Sequence, residues 1–355
     1  MKTPLIEGLS QGMLESYLKA RQFDPLYWPN FFPLKDVNRL DASTLIGSVG
    51  SRVIGHVISY NVKAPEAGRK SIKTMHFDIP KTAQSRVKDE KEILEWYIAR
   101  AIQGQNAVIE DLFNDADFVN DSVQARMEWF ALQALSLTKI QLAVANNPQG
   151  IVNETVIDFG MPTANKKCAS VIWSVGNKAL MDPMADFKSV VKAARGKGIK
   201  FARILMTSDL YDLIVDATLF KAFFTNSSSI VTPMNLGTIN AVVGSYGIPP
   251  ISLIDTSVGI EGKDGTVTAT NPFSTTHVTF IPDDVCGSML NGPIAEELEK
   301  PPDVIQAKRG NVLVSVKKDF NPVKVITKGE ANVFPSWTNV DRCYSLYTGH
   351  ASVWA

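Results

Sequence analysis

The sequence predicts an α+β fold, and three observations lead to that prediction. Residues 23–32 combine five aromatic side chains with two prolines close to the N-terminus. Residues 88–144 show the spacing of apolar side chains that is typical of long helices. A mixed region of strands and helices follows, and strand-like stretches occupy residues 311–349. These features predict an irregular arm, a long central helix and a mixed α and β remainder.

Composition and charge exclude several classes of protein. The chain has 355 residues, of which 45% are hydrophobic and 20% are charged, so a wholly disordered chain is excluded. Its 36 basic residues equal its 36 acidic ones, whereas a dedicated nucleic-acid binder carries a basic excess. No apolar run reaches the about 18 residues of a membrane span. The N-terminus also lacks a signal-peptide pattern, so neither feature is expected.

The aromatic segment FDPLYWPNFF follows a short amphipathic helix that is predicted over residues 10–21. Pro25 and Pro29 interrupt the segment and Pro33 follows it. Because proline fixes φ and lacks an N–H, the segment is predicted to form neither a regular helix nor a central strand. Because the segment is too aromatic for a solvated tail, we predict an extended arm that packs on another surface.

A long hairpin is predicted next, with strands at 51–60 and 71–79. Its tip region is basic and contains Lys63, Arg69, Lys70 and Lys73. A two-stranded hairpin is marginal in water, so a hairpin of this length is expected to lean on other structure.

Two helices are predicted after the hairpin, over residues 88–113 and from about Phe118 to Val144. Carboxylates cluster before and at the start of the second helix, where the helix dipole favours anions. They are Glu110, Asp111, Asp115, Asp117 and Asp121. A helix start and a solvated face are sufficient to explain them.

The remaining elements are predicted from caps, turns and apolar runs. Asp182 and Pro183 are predicted to begin one helix, and Ser208 is predicted to cap another over residues 209–224. Strands are predicted at 154–159, 201–207, 241–246, 250–255, 277–284, 311–318, 322–328 and 342–349, with a hairpin turn at 263–266.

The sequence shows no constellation of residues that would carry chemistry. Cys168, Cys286 and Cys343 are far apart and form no CxxC pair, so we predict small buried side chains. The four histidines lack the spacing of metal ligands, and no phosphate-binding glycine loop precedes a helix. We therefore predict no catalytic residue, no cofactor and no metal site, and a protein that is not an enzyme.

Six stretches, taken in order, resemble a known family. They read FDPLYWPNFFP, FDIPK, SVQARMEWFALQALSLTKIQL, NETVIDFG, ADFKSVVKAARGKGIKFARILMTSDLYDLI and VKVITKGEANVFPSWTNVDRCYSLYTG. In this order they resemble the HK97-fold major capsid proteins of tailed phages, and more narrowly the lambda-type phage capsid E family. The resemblance covers nearly the whole chain.

The resemblance implies an HK97-like capsid fold with five parts. These are an N-terminal arm (1–48), an extended E-loop hairpin (49–87), a P-domain with a long spine helix (88–172), an A-domain (173–310) and the return strands of the P-domain (311–355). It implies a major capsid protein that assembles as hexamers and pentamers into the icosahedral head shell of a tailed double-stranded DNA phage.

The resemblance also implies partners and a location. The partners are other copies of the chain, a separate scaffolding protein, a portal, a decoration protein and packaged double-stranded DNA in weak, non-specific contact, without a membrane. The implied location is the virion, after assembly in the host bacterial cytoplasm.

Two sets of residues are predicted to contact neighbouring subunits. The arm would dock through its aromatic side chains, Phe23, Tyr27, Trp28, Phe31 and Phe32, and the E-loop tip through Lys63, Arg69, Lys70 and Lys73. Replacing Trp28 and Phe31 by alanine is then expected to prevent assembly while sparing subunit folding. The alternative is that the arm packs on its own spine helix, against Met127 and Phe130.

Two alternative functions remain open from the sequence. The first is an encapsulin-like nanocompartment shell, which shares the fold and encloses cargo enzymes in place of DNA. The second is a soluble α/β enzyme centred on residues 180–285, with a concave site near His277 and Asp209.

Overall fold

A computed structural model of the chain describes residues 10–22, 25–46, 73–103, 105–150, 156–224 and 234–354. Within them the helices are α1 (Gln11–Ala20), α2 (Trp28–Phe31), α3 (Glu90–Gln103), α4 (Gln105–Leu137), α5 (Pro183–Arg195), α6 (Ser208–Asp216), α7 (Thr218–Lys221), α8 (Leu236–Ser245) and α9 (Ala295–Leu298).

The strands of the same residues are β1 (Leu34–Asp36), β2 (Asp41–Ile46), β3 (Lys73–Asp78), β4 (Lys81–Lys88), β5 (Lys139–Gln141), β6 (Val156–Asp158), β7 (Lys166–Cys168), β8 (Arg203–Met206), β9 (Ile251–Leu253), β10 (Val258–Glu261), β11 (Val267–Thr270), β12 (His277–Ile281), β13 (Ser288–Gly292), β14 (Val304–Arg309), β15 (Val312–Phe320), β16 (Val323–Ser336) and β17 (Tyr344–Tyr347).

The central helix α4 is longer at its start, and shorter at its end, than the sequence predicted. It spans 33 residues, or about 50 Å, and includes the acidic stretch that was expected to precede a helix. Leu112, Ala116 and Val119 are buried on one face, so the apolar stripe continues through that stretch. The helix ends at Leu137 because Thr138 adopts a left-handed φ of 59°.

Two other local predictions are wrong for identifiable reasons. Residues 241–246 belong mostly to helix α8, whose Ile239 and Val243 are buried one turn apart. Asn235 caps this helix, since its side chain accepts the Thr238 N–H at 2.8 Å. In the aromatic segment, α2 is a single helical turn with Pro29 near its start, where the missing N–H costs nothing.

The larger sheet places the return strands beneath α4. Its strand order is β1-β13-β16-β15-β14, and β4 also pairs with β16. The 14-residue β16 runs antiparallel to β4, β13 and β15. Phe130 of α4 and Phe334 of β16 lie 5.6 Å apart between ring centroids, so helix and sheet share one core.

Gly329 marks the closest approach of β16 to α4. A Cβ at this position would lie 2.7 Å from the carbonyl oxygen of Val119 and 2.9 Å from its carbon. We expect Gly329→Ala to lower the free energy of unfolding by about 1–3 kcal/mol, because backbone atoms must move apart. Gly244→Ala is the control: its Cβ meets nothing within 4 Å, and a gain of up to about 1 kcal/mol is expected in the helix. Denaturant unfolding gives the free energy of unfolding of both variants. Equal changes in the two variants would contradict the close approach of β16 to α4.

A second sheet organises a separate core. Its order is β7-β17-β12-β8-β9, and helices α5, α6 and α8 pack around it. Phe187 of α5 makes edge contacts with Trp173 and with Phe280 of β12, each at 5.8 Å between centroids. The described residues thus form two hydrophobic cores, while the domain boundaries given above stay predictions.

The predicted second strand of the hairpin has a different partner from the one expected. β3 forms as expected, but it pairs antiparallel with β2, from Asp41 opposite Asp78 to Ile46 opposite Lys73. No strand was predicted at residues 41–46. The predicted strand at 51–60 lies outside the described residues.

Candidate assembly surfaces

The aromatic segment is buried within its own chain. The exposed fractions are 7% for Trp28, 3% for Phe31 and 0% for Phe32, and all three belong to the larger core. Tyr27 is half-buried against the same core, and Phe23 lies outside the described residues. The short helix α2 packs on α4. Within the single chain, the three buried rings therefore pack on the chain's own core, as the alternative interpretation of the arm expected.

The backbone after α2 joins the larger sheet. The carbonyl of Phe31 accepts the N–H groups of Cys286 at 2.8 Å and Gly287 at 3.3 Å. β1 then pairs parallel with β13, from Leu34 opposite Met289 onward. The arm is thus fixed both by side-chain burial and as an added strand.

A buried carboxylate of α4 holds the start of α2. Glu128 is fully buried, and its two oxygens accept the N–H of Tyr27 at 3.0 Å and of Trp28 at 2.7 Å. One turn earlier, Gln124 accepts the Trp28 indole N–H at 3.2 Å. Burial raises the pKa of Glu128, although the two backbone hydrogen bonds act in the opposite direction. Sequence reasoning missed this residue.

The acidic cluster of α4 attaches α1 to the helix. Asp117 accepts the Tyr17 hydroxyl at 2.7 Å and pairs with the Arg21 Nε at 3.1 Å. The Tyr17 ring stacks on Phe113 with centroids 4.0 Å apart. Burial, followed by the hydrogen bond to Asp117, raises the pKa of Tyr17 to about 12.

The same cluster binds β4, which follows β3 along the chain. Arg86 reaches Asp115 at 3.3 Å, and Lys88 reaches Asp111 at 2.7 Å and Asp115 at 3.2 Å. Asp115 is buried, so the expectation of a solvated acidic face is wrong for this residue. The available signal was its helical phase: Asp115 lies three residues after Leu112 and four before Val119, on the buried stripe.

A cleft of about 450 Å³ opens beside the arm and is lined by Trp28, Pro29, Asn120, Asp121, Gln124 and Arg309 among others. Burial, with the carboxylate of Asp117 adding to it, raises the pKa of Asp121 to about 6, while Asn120 and Arg309 lower it.

This shift sets an expected pH dependence. From about pH 4 to pH 6 the folded chain holds a proton at Asp121 more tightly than the unfolded chain, so stability falls as pH rises through that range. Asp121 lines the wall of an open cleft, so neighbouring atoms desolvate its carboxylate in part while solvent still reaches the residue. Asp121→Asn should therefore flatten this slope only slightly, because solvent screens the charge. Urea unfolding of both proteins across this range measures it. Parallel stability curves would contradict the shift.

The two residues named for the alternative enzyme site have different environments. His277 is 3% exposed, with Nδ1 beside the hydroxyls of Ser274 and Thr276 and its ring stacked on Tyr347. Asp209 lies exposed in the first turn of α6. Among the described residues, no cluster of His, Cys, Asp or Glu could hold a metal ion. No helix within the described ranges is long and apolar enough to cross a membrane.

Comparison with known proteins decides the family. The model of the family described as phage major capsid protein E matches residues 19–347. The chain belongs to this family. The capsid protein is thus a subunit of a phage capsid shell and a structural component of the virion. No curated protein matches its sequence.

Solved structures are similar to this chain over nearly its whole length. A putative capsid protein of a prophage from E. coli CFT073 is 14% identical with a TM-score of 0.56, covering 96% of this chain and 99% of that one. The cyanophage A-1(L) capsid subunit is 12% identical with a TM-score of 0.48, covering 94% and 95%. A phage-related protein from Bordetella bronchiseptica RB50 is 13% identical with a TM-score of 0.47, covering 95% and 97%. The capsid protein has the HK97-like fold.

The predicted tip of the E-loop remains a prediction for this capsid protein. Lys63, Arg69 and Lys70 lie outside the described residues, and Lys73 begins β3. Inter-subunit contact by the arm likewise stays a prediction, since a single chain contains no neighbour.

Among the described residues the capsid protein exposes apolar side chains at several places, including the following two. Around the second core, Val175 is 75% exposed and Leu180 is 67% exposed. On α3, Leu94, Tyr97 and Ile98 are each more than half exposed. Interfaces between subunits are built from surfaces of this kind.

Proposed function

We propose that the chain forms hexamers and pentamers that close into the icosahedral head shell of a tailed double-stranded DNA phage. The observation that carries this proposal is the match of the capsid family model across nearly the whole chain. The zero net charge supports it, because many like-charged copies in one shell would repel one another. The shell role requires no catalysis, cofactor or membrane.

The partners in this proposal follow from the role of the shell. Copies of the chain contact one another, a separate scaffolding protein directs assembly, and a portal occupies one vertex. A decoration protein binds the outer face, and packaged double-stranded DNA meets the inner face through weak, sequence-independent contacts. Assembly takes place in the cytoplasm of the host bacterium.

Electron microscopy of the expressed protein, with and without its genomic neighbours, tests the proposal. Closed shells or tubes are the expected result. Discrete monomers or small oligomers under every condition would contradict it. Shells that hold enzymes, with no portal or terminase gene nearby, would support the nanocompartment.

The basic E-loop tip is proposed to bind carboxylates on a neighbouring subunit. Replacing Lys63, Arg69 and Lys70 together by glutamate should prevent shell formation, because like charges would then meet. The unfolding midpoint of the unassembled subunit should not change. The matched control exchanges each residue for the other basic type, as Lys63→Arg, Arg69→Lys and Lys70→Arg, which keeps each charge. Normal shells from the glutamate variant would exclude an electrostatic role for the tip.

A further inference from the structure

Helix α3 has two apolar faces, and only one of them is covered. Ile93 is 7% exposed and belongs to the larger core, with Trp96 packed beside it. On the other face, Leu94 is 63%, Tyr97 57% and Ile98 60% exposed. Residues spaced by three and four positions are neighbours on a helix surface, so these three side chains form one patch. We call it the α3 patch.

A single aromatic side chain projects from the turn between β15 and β16. Phe320, the last residue of β15, is 90% exposed and is opposite Val323 in the strand register. A phenylalanine this exposed gains nothing from its own chain. Its position at the end of a two-stranded turn places the ring where another molecule can reach it.

The two features lie at the same end of the molecule. The Val323 N–H donates to the Glu90 carboxylate of α3 at 3.2 Å, which joins the turn to the first turn of that helix. Because Phe320 is almost fully exposed, it does not cover the α3 patch of its own chain. The Phe320 ring and the α3 patch thus lie close together on one subunit. This arrangement suits a closed symmetric contact, in which the Phe320 ring of each copy packs on the α3 patch of the other copy.

The charges around the two features are opposite. Acidic residues outnumber basic ones at the start of α3, where Asp89, Glu90, Glu92 and Glu95 surround Lys91. Basic residues outnumber acidic ones at the turn, where Lys317, Lys318 and Lys324 surround Asp319. Complementary potentials of this kind orient partners and disfavour incorrect ones.

We propose that Phe320 of one subunit packs on the α3 patch, Leu94, Tyr97 and Ile98, of a second copy of this chain. The inference rests on the proposed shell function, which brings many copies together. A second copy is the occupant because the chain itself carries both complementary surfaces. One aromatic contact is far smaller than the about 800 Å² per partner of a stable complex, so the contact forms within a shell and not between free subunits.

Paired cysteines test the contact directly. In shells of the Phe320→Cys, Ile98→Cys double variant, mild oxidation should yield covalently linked subunits on a non-reducing gel. Each single variant should yield none, which controls for the native cysteines. The matched control is Phe320→Cys with Val175→Cys, since Val175 is 75% exposed and lies beside the other core.

The outcomes separate this inference from the proposed function. Three results would overturn the contact while leaving the shell function intact. The double variant could form normal shells without cross-links, its disulfide could form within one chain, or the control pair could cross-link equally. If wild-type chains form no shells, the proposed function fails instead. Phe320→Ala should also raise the subunit concentration needed for assembly by about tenfold or more, with subunit unfolding unchanged. Unchanged assembly in that variant would likewise overturn the contact.

Discussion

We expect Phe31→Ala to lower the free energy of unfolding of the unassembled subunit by about 3–5 kcal/mol. The Phe31 ring is 3% exposed inside the larger core, so its removal leaves a cavity beneath α4 and the sheet. Its backbone carbonyl also anchors Cys286 and Gly287, which limits how far the segment can collapse into that cavity. Chemical denaturation followed by circular dichroism measures the change.

Asn30→Ala is the matched control for this substitution. Asn30 lies in the same helical turn but is exposed, so a change within about 0.5 kcal/mol is expected. A large loss of stability in Phe31→Ala would revise the expectation that replacing Trp28 and Phe31 spares subunit folding. A Phe31→Ala subunit that unfolds like wild type but builds no shells would support the predicted inter-subunit role of that ring.

Local signals in the sequence were sufficient for several elements. The helix α1 begins at the Ser10 cap, and α5 begins with Asp182 accepting the Ala185 N–H and Pro183 at its first position. The strands β8 and β12 coincide with buried apolar runs. In each case a cap or an apolar period lies within the element itself, so no distant partner is needed to recognise it.

Other elements depend on partners that are distant in sequence. β2 has a polar sequence, DASTLI, and forms a strand by pairing with the distant β3, from Asp41 opposite Asp78 to Ile46 opposite Lys73. α8 has an apolar sequence that suits a strand or a helix, and burial of Ile239 and Val243 on one side selects the helix. Tertiary context therefore overrides the local preference in both elements.

The candidate assembly surfaces were predictable to a similar, partial extent. The aromatic composition of the arm indicated burial but not the surface that covers it. The polar groups that hold the arm, Gln124, Glu128 and Asp117, lie about 100 positions away on α4. A glutamate within a helical sequence ordinarily indicates an exposed face, so nothing in the sequence marked Glu128 as a buried acceptor.

We expect Glu128→Ala to lower the free energy of unfolding by about 2–5 kcal/mol. The substitution leaves the N–H groups of Tyr27 and Trp28 without their acceptors at the start of α2, and each such group costs about 1–3 kcal/mol when buried. Loss of the hold on α2 should also expose the arm. Urea unfolding gives the free energy, and limited proteolysis between α1 and β1 reports release of the arm.

Glu128→Gln is the matched control, since it keeps a side-chain oxygen for one N–H and removes the charge. Its loss should be clearly smaller than that of the alanine variant. Burial raises the pKa of Glu128, so the folded chain holds this proton more tightly than the unfolded chain does. The stability of wild type relative to Glu128→Gln should therefore be greatest below the ordinary glutamate pKa and fall as pH rises through the folded pKa. A Glu128→Ala variant as stable as wild type would show that the carboxylate does not hold α2.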